Sequence, residues 1–129
     1  MDAVAALTLD VPRLYPQGEV PDKPTYSYGV YVVTLGAGTA YTLDASHGLR
    51  RGRVVLQTFG RTATGPVAMA EKVVDRLLDK RLPVAGWRTT PLTVQLHPTI
   101  VRLSDPENTG VVDVTTVLTF TATKETSDD

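Results

Sequence analysis

The chain has 129 residues, 42% of them hydrophobic and 21% charged, a mixture that fits one globular core and excludes the disordered and fibrous classes. Lys and Arg total 13 against 14 Asp and Glu, a net charge of -1 that offers no overall attraction to a nucleic-acid backbone. Cysteine is absent, which excludes disulfides, thiolate metal sites and a cysteine nucleophile. The N-terminus has no basic leader, and no apolar run approaches the ~18 residues of a membrane span. A chain made and kept in the cytoplasm is expected.

Residues 1–25 carry Pro12, Pro16, Pro21 and Pro24, each removing a backbone donor and restraining the residue before it. They predict an extended N-terminal arm, with Val11, Leu14 and Tyr15 as anchors against the domain or a neighbour. A helical turn over residues 2–7 is too short to persist alone. Tyr26 to Leu35 is rich in aromatic and β-branched residues and predicts a strand. Gly36, Gly38, Gly48 and Gly52 then punctuate a loop or loose hairpin around the strand-like piece Thr39 to Leu43. Loops of this length often carry function.

Arg53 to Arg61 alternates as a strand with both faces partly covered. Thr64-Gly65-Pro66 opens a helix, with Thr64 or Gly65 as cap and proline in the first turn. The helix is expected to run to about Lys80, with Val67, Ala70, Val73, Val74, Leu77 and Leu78 forming its apolar side. Leu92 to Leu103 predicts a strand that bends at Pro98, with Leu92, Val94 and Leu96 inward. Asp105 to Gly110 is turn chemistry, and Val111 to Ala122 then sets Val112, Val114, Leu118, Phe120 and Ala122 on one face. Residues 124–129 form a charged tail expected to be disordered. The order implies an α+β domain over residues 26–123, a mostly antiparallel sheet with one amphipathic helix packed on it.

Motifs for chemistry fail at named residues. Gly36-Ala37-Gly38-Thr39-Ala40-Tyr41 places Tyr41 where a dinucleotide fingerprint needs its third glycine. Gly60 to Gly65 has the glycine spacing of a phosphate loop, but Pro66 and Val67 replace its lysine and hydroxyl. Asp44, Ser46 and His47 are too close in sequence for a relay, and His47 with His97 makes no metal-ligand pattern. The expectation is no enzyme, no cofactor and no metal. The features left over suit contacts between proteins: the basic group Arg50, Arg51 and Arg53, flanked by His47 and Leu49, and the acidic turn with Asp105, Glu107 and Asn108. One group can pair with the other on a second copy.

Four stretches together resemble the tail terminator, or tail-completion, proteins of long-tailed bacteriophages. They are the strand Tyr26 to Leu35; Ser46-His47-Gly48-Leu49-Arg50-Arg51-Gly52-Arg53-Val54-Val55-Leu56-Gln57-Thr58-Phe59-Gly60; the Ala70 to Leu78 helix; and the closing hairpin from Asp105 to Phe120. The resemblance spans roughly residues 26–122. Members usually begin with a longer helix, where this chain has its proline-rich segment. The resemblance implies a virion protein of the tail neck that forms a hexameric ring on the head-proximal end of the tail tube. The ring ends polymerisation and offers a surface for head joining. Its implied partners are further copies, the major tail tube protein and a head-completion or connector protein, with DNA passing through the lumen unread and no membrane. Alternatives are another head–tail connector, a tube subunit, or a small peptide- or ligand-binding module.

Overall fold

The β-branched and aromatic runs build a curled six-stranded sheet, and one helix covers its concave side. The computed structural model describes residues 3–36, 49–102 and 111–124. In chain order the elements are α1 (Ala3–Leu7), β1 (Leu14–Pro16), β2 (Tyr28–Leu35), β3 (Leu49–Gly60), α2 (Thr64–Leu77), β4 (Trp87–Thr89), β5 (Thr93–Arg102) and β6 (Val112–Lys124). The sheet runs β1-β2-β3-β6, and the far side of β6 is shared by β5 and β4. All pairings are antiparallel except β1 with β2, which is parallel.

Register sets which residues meet in the core. Val54 lies opposite Leu118 and Leu118 opposite Val94, while Val33, across from Val54, is exposed. One row along, Tyr31 faces Leu56 and Leu56 faces Thr116. Onto these rows α2 lays Pro66, Ala70, Val73 and Leu77, while Glu71, Lys72 and Asp75 stay in water. The buried threonines Thr8, Thr58 and Thr89 find carbonyl partners, which offsets lost hydration, whereas the buried Thr116 hydroxyl has no partner among the described residues. The Thr58 hydroxyl donates to the Pro66 carbonyl at 2.9 Å, tying β3 to the start of α2, and the Thr89 hydroxyl donates to the Leu82 carbonyl at 2.8 Å.

The proline-rich N-terminal segment lies against the domain, one of the two placements expected for its anchors Val11, Leu14 and Tyr15. Val4 and Val11 are core residues, 1% and 6% exposed, and β1 takes a place in the sheet. Asp10 then receives a forked contact from Arg76 of α2, with Nε–Oδ2 at 2.9 Å and Nη2–Oδ2 at 2.6 Å. Hydrogen bonding from Arg76, with its positive charge, holds the Asp10 carboxyl below its ordinary value of 3.8. A depressed carboxylate stabilises the fold above its unfolded pKa, and that contribution is lost as pH falls through the folded value. The melting difference between wild type and Asp10→Asn is therefore expected to be present near neutrality and to vanish on acidification below about pH 4, measured by thermal melts across the acid range. Both groups are well exposed, so the effect is small.

Four boundaries differ from expectation. The helix is capped by Ala63, with no side-chain cap bond, and Thr64 is its first residue. It ends at Leu77 rather than Lys80, because Leu78 turns extended (ψ 134) and Asp79 takes a φ of +65. There the Asp79 N–H donates to the Leu92 carbonyl and the Leu92 N–H to that of Lys80, so a tertiary pairing displaces the next helical turn. Leu78, expected on the apolar side, is 39% exposed. Strand β3 starts at Leu49, four residues before Arg53, and β6 runs on to Lys124. Strand β5 does bend, with register shifts between Val94 and Leu96, Leu96 and Thr99, and Ile100 and Arg102; these turn Leu96 out of the core side, where it is 38% exposed.

Candidate assembly surface

The pleat of β3 divides the basic group that adjacency in sequence suggests. Successive side chains of a strand point to opposite faces. Arg50 turns to the concave side and is half-buried, its guanidinium 5.3 Å from the centre of the Trp87 ring, a cation–π contact between β3 and β4. Its Nε is buried with no hydrogen-bond partner among the described residues. Arg51 and Arg53 point to the convex side and are exposed, as is Leu49 at 53%. His47, Asp105, Glu107 and Asn108 lie outside the described residues, as do positions 37–41 of the first glycine motif and the strand-like piece 39–43.

Register extends the convex basic patch across the sheet. Arg53 lies between Thr34 and Thr119, and Thr119 faces Thr93. Arg51 faces Thr121, whose N–H donates to the Thr90 hydroxyl at 2.9 Å. Leu49 and Arg88 flank Thr123 from its two sides. Arg88, on the short strand β4, is exposed and is a member of the patch that sequence reasoning missed; its only signal is Trp87-Arg88-Thr89 following Gly86. The paired rows carry no acidic side chain among the described residues, and Asp79 lines the same pocket as Arg51, Thr93 and Thr119. Arg51 and Arg53 sit about 7 Å apart along a strand held on both sides, which gives rigid, forked donors for carboxylates.

The far end of the convex face has a different chemistry. Tyr28 stacks on Phe59 at 5.0 Å between ring centres, Tyr26 lies 5.5 Å from Tyr28, and the Arg61 guanidinium sits 4.9 Å over Tyr26. Burial pushes the Tyr28 hydroxyl up, with Tyr26 and Asp113 adding to the shift. Between the two ends runs an apolar row, Val32, Val55, Val117 and Leu96.

The glycines of the β3–α2 connection are filled from within the chain. A side chain at Gly60 or Gly65 would meet Ser27, and at Gly60 also Pro66, so no open cradle stands over that loop. His97 is exposed on β5, where its carbonyl accepts from the Thr99 hydroxyl at 2.7 Å. Among the described residues no three His, Asp or Glu gather as a metal site, and no helix is long and apolar enough to cross a membrane.

The fold these elements define is a curled, mostly antiparallel sheet with α2 packed on its concave side and the short α1 beside it. No family model and no curated protein matches the chain. Solved structures share its fold. A chain of the virion of a native gene transfer agent particle superposes with a TM-score of 0.61 at 20% identity, over 93% of this chain and 84% of that one. A second solved structure does so with a TM-score of 0.56 at 16% identity, over 97% and 87%.

Proposed function

We propose that this chain is a non-enzymatic structural subunit of a phage-like virion, acting as a tail terminator. The observation that carries the reading is the fold shared, nearly end to end, with a chain of a gene transfer agent virion. Copies assemble into a ring, hexameric by the family resemblance, on the head-proximal end of the tail tube. There the ring stops tube growth and presents a face to the head-completion protein, and DNA crosses the lumen. A ring of identical subunits needs a heterologous contact that closes after a fixed rotation. The exposed Arg51 and Arg53 supply one half of it, with Leu49 and Arg88 beside them. The acidic stretch with Asp105, Glu107 and Asn108 on the next copy supplies the other, and His47 belongs to the basic side by its place in sequence.

Sedimentation and negative-stain imaging test this directly. The wild type is expected to form single closed rings with rising concentration, and to bind the ends of tubes of major tail protein. The double variant Arg51→Glu, Arg53→Glu is expected to weaken association at least tenfold while melting like the wild type, because both side chains are exposed. Long stacked tubes would instead mark a tube subunit, and a strict monomer that ignores tube ends would defeat the proposal.

A further inference from the structure

The solvent side of α2 has a chemistry of its own. At about 100° per residue, Thr64, Ala68, Glu71 and Asp75 fall within a stripe about 60° wide. It lies opposite the buried Pro66, Ala70, Val73 and Leu77, and all four of its residues are exposed. The neighbouring cations are turned off this stripe. The Lys72 Nζ donates to the Asp10 carbonyl at 3.1 Å, and Arg76 grips the Asp10 carboxylate. Asp75 accepts from Arg76 at 2.9 Å yet keeps 76% of its side chain in water. The stripe therefore carries two carboxylates and no cation. Leu78, where the helix has ended, adds an apolar side chain that is 39% exposed. Asp79 is not part of it, since it faces the pocket that Arg51 lines in its own chain.

The convex basic patch repeats this order with the opposite sign. Read back along β3, Arg53, Arg51 and Leu49 present cation, cation and exposed apolar side chain. Read forward along α2, Glu71, Asp75 and Leu78 present anion, anion and exposed apolar side chain. The spacings agree: alternate residues of a strand lie about 7 Å apart, and helix residues four apart lie about 6 Å apart. Neither Arg51 nor Arg53 has an ion pair among the described residues.

Resting on the ring reading above, we infer that the solvent stripe of α2 in one copy docks on the convex basic patch of the next. Glu71 meets Arg53, Asp75 meets Arg51, and Leu78 meets Leu49. A second copy is the occupant because the complementary charges lie on opposite sides of one sheet, where a chain cannot pair its own. The two surfaces differ, so the contact repeats head to tail, as a closing ring needs. The helix thereby joins the stretch with Asp105 and Glu107 on the acidic side of the seam. Its matched spacing sets the register, which charge complementarity governs more than raw affinity.

The test is charge exchange, followed by sedimentation and native mass spectrometry. The helix variant Glu71→Arg, Asp75→Arg is expected to associate at least tenfold more weakly than wild type. It should melt like wild type, because both side chains are exposed and an exposed pair such as Asp75 with Arg76 contributes little. An equimolar mixture with Arg51→Glu, Arg53→Glu is expected to recover closed rings in which the two chains alternate, since each stripe then meets a patch of opposite sign. The variant Glu19→Arg, Asp22→Arg makes the same charge change at exposed sites off the stripe, and with the same partner it is expected to give no closed ring containing both chains. A helix variant that assembles like wild type would overturn this seam and leave the ring standing. So would mixed rings formed with Asp105→Arg, Glu107→Arg but not with the helix variant, or a helix mixture that forms none. Mixed rings with Glu19→Arg, Asp22→Arg would reduce the recovery to net charge and overturn the seam as well. A wild type that never associates would overturn both.

Discussion

Replacing Gly52 with alanine is expected to destabilise the domain by about 1–3 kcal/mol, the usual cost of forcing extra volume into a packed core. Gly52 lies directly opposite Phe120 across the β3–β6 ladder, and a methyl group there would fall within the Phe120 ring. The ring cannot swing into solvent, because Phe120 is 3% exposed and α2 closes the concave side. Backbone strain is not the reason, since Gly52 has no left-handed φ. The glycine is needed for the space that it leaves. Urea denaturation should show the loss as a lower midpoint with an unchanged slope. Adding Phe120→Leu should then cost less in the Gly52→Ala background than alone, because contacting residues do not behave additively. Equal cost in both backgrounds would mean that the ring moves aside freely.

Gly52 also shows where sequence reasoning fell short. Four glycines between positions 36 and 52 suggest punctuation of a loop, and the last of them instead sits inside a twelve-residue strand. Its role depends on a phenylalanine 68 positions away, and no local pattern carries that. Strand β6 was legible because Val112, Val114, Leu118, Phe120 and Ala122 all fall on the covered face, and β2 because it is rich in β-branched and aromatic residues. Placing the start of β3 at Arg53 left Arg50 and Arg51 outside the strand, so their alternation was invisible and three arginines read as one cluster. Once the strand starts at Leu49, parity alone sends Arg50 to Trp87 and the other two to the convex face. Arg88 was missed because a three-residue strand has too few residues to show a period.

The N-terminal segment offers the sharpest discrimination between the two readings of this chain. If residues 1–16 were an arm outside the domain, removing them would leave the melting transition in place. In the folded chain their removal deletes the core residues Val4 and Val11 and exposes the apolar surface that they cover. It also strips the β1 bonds from Gly29 and Tyr31 and takes away the Asp10 partner of Arg76. Two fully buried valines contribute about 1.5–3 kcal/mol each, and partly covered Leu7 and Leu14 add to them. The expected loss, roughly 4–7 kcal/mol by the same bookkeeping, is comparable with the whole stability of a small domain, about 5–15 kcal/mol. The truncated chain should therefore lose its cooperative melt or melt tens of degrees lower, followed by circular dichroism. The double variant Val4→Ala, Val11→Ala checks that burial is responsible, with about 2–4 kcal/mol expected from methyl groups deleted at core positions. A truncated chain that melts within a few degrees of wild type would show that the prolines describe the segment correctly.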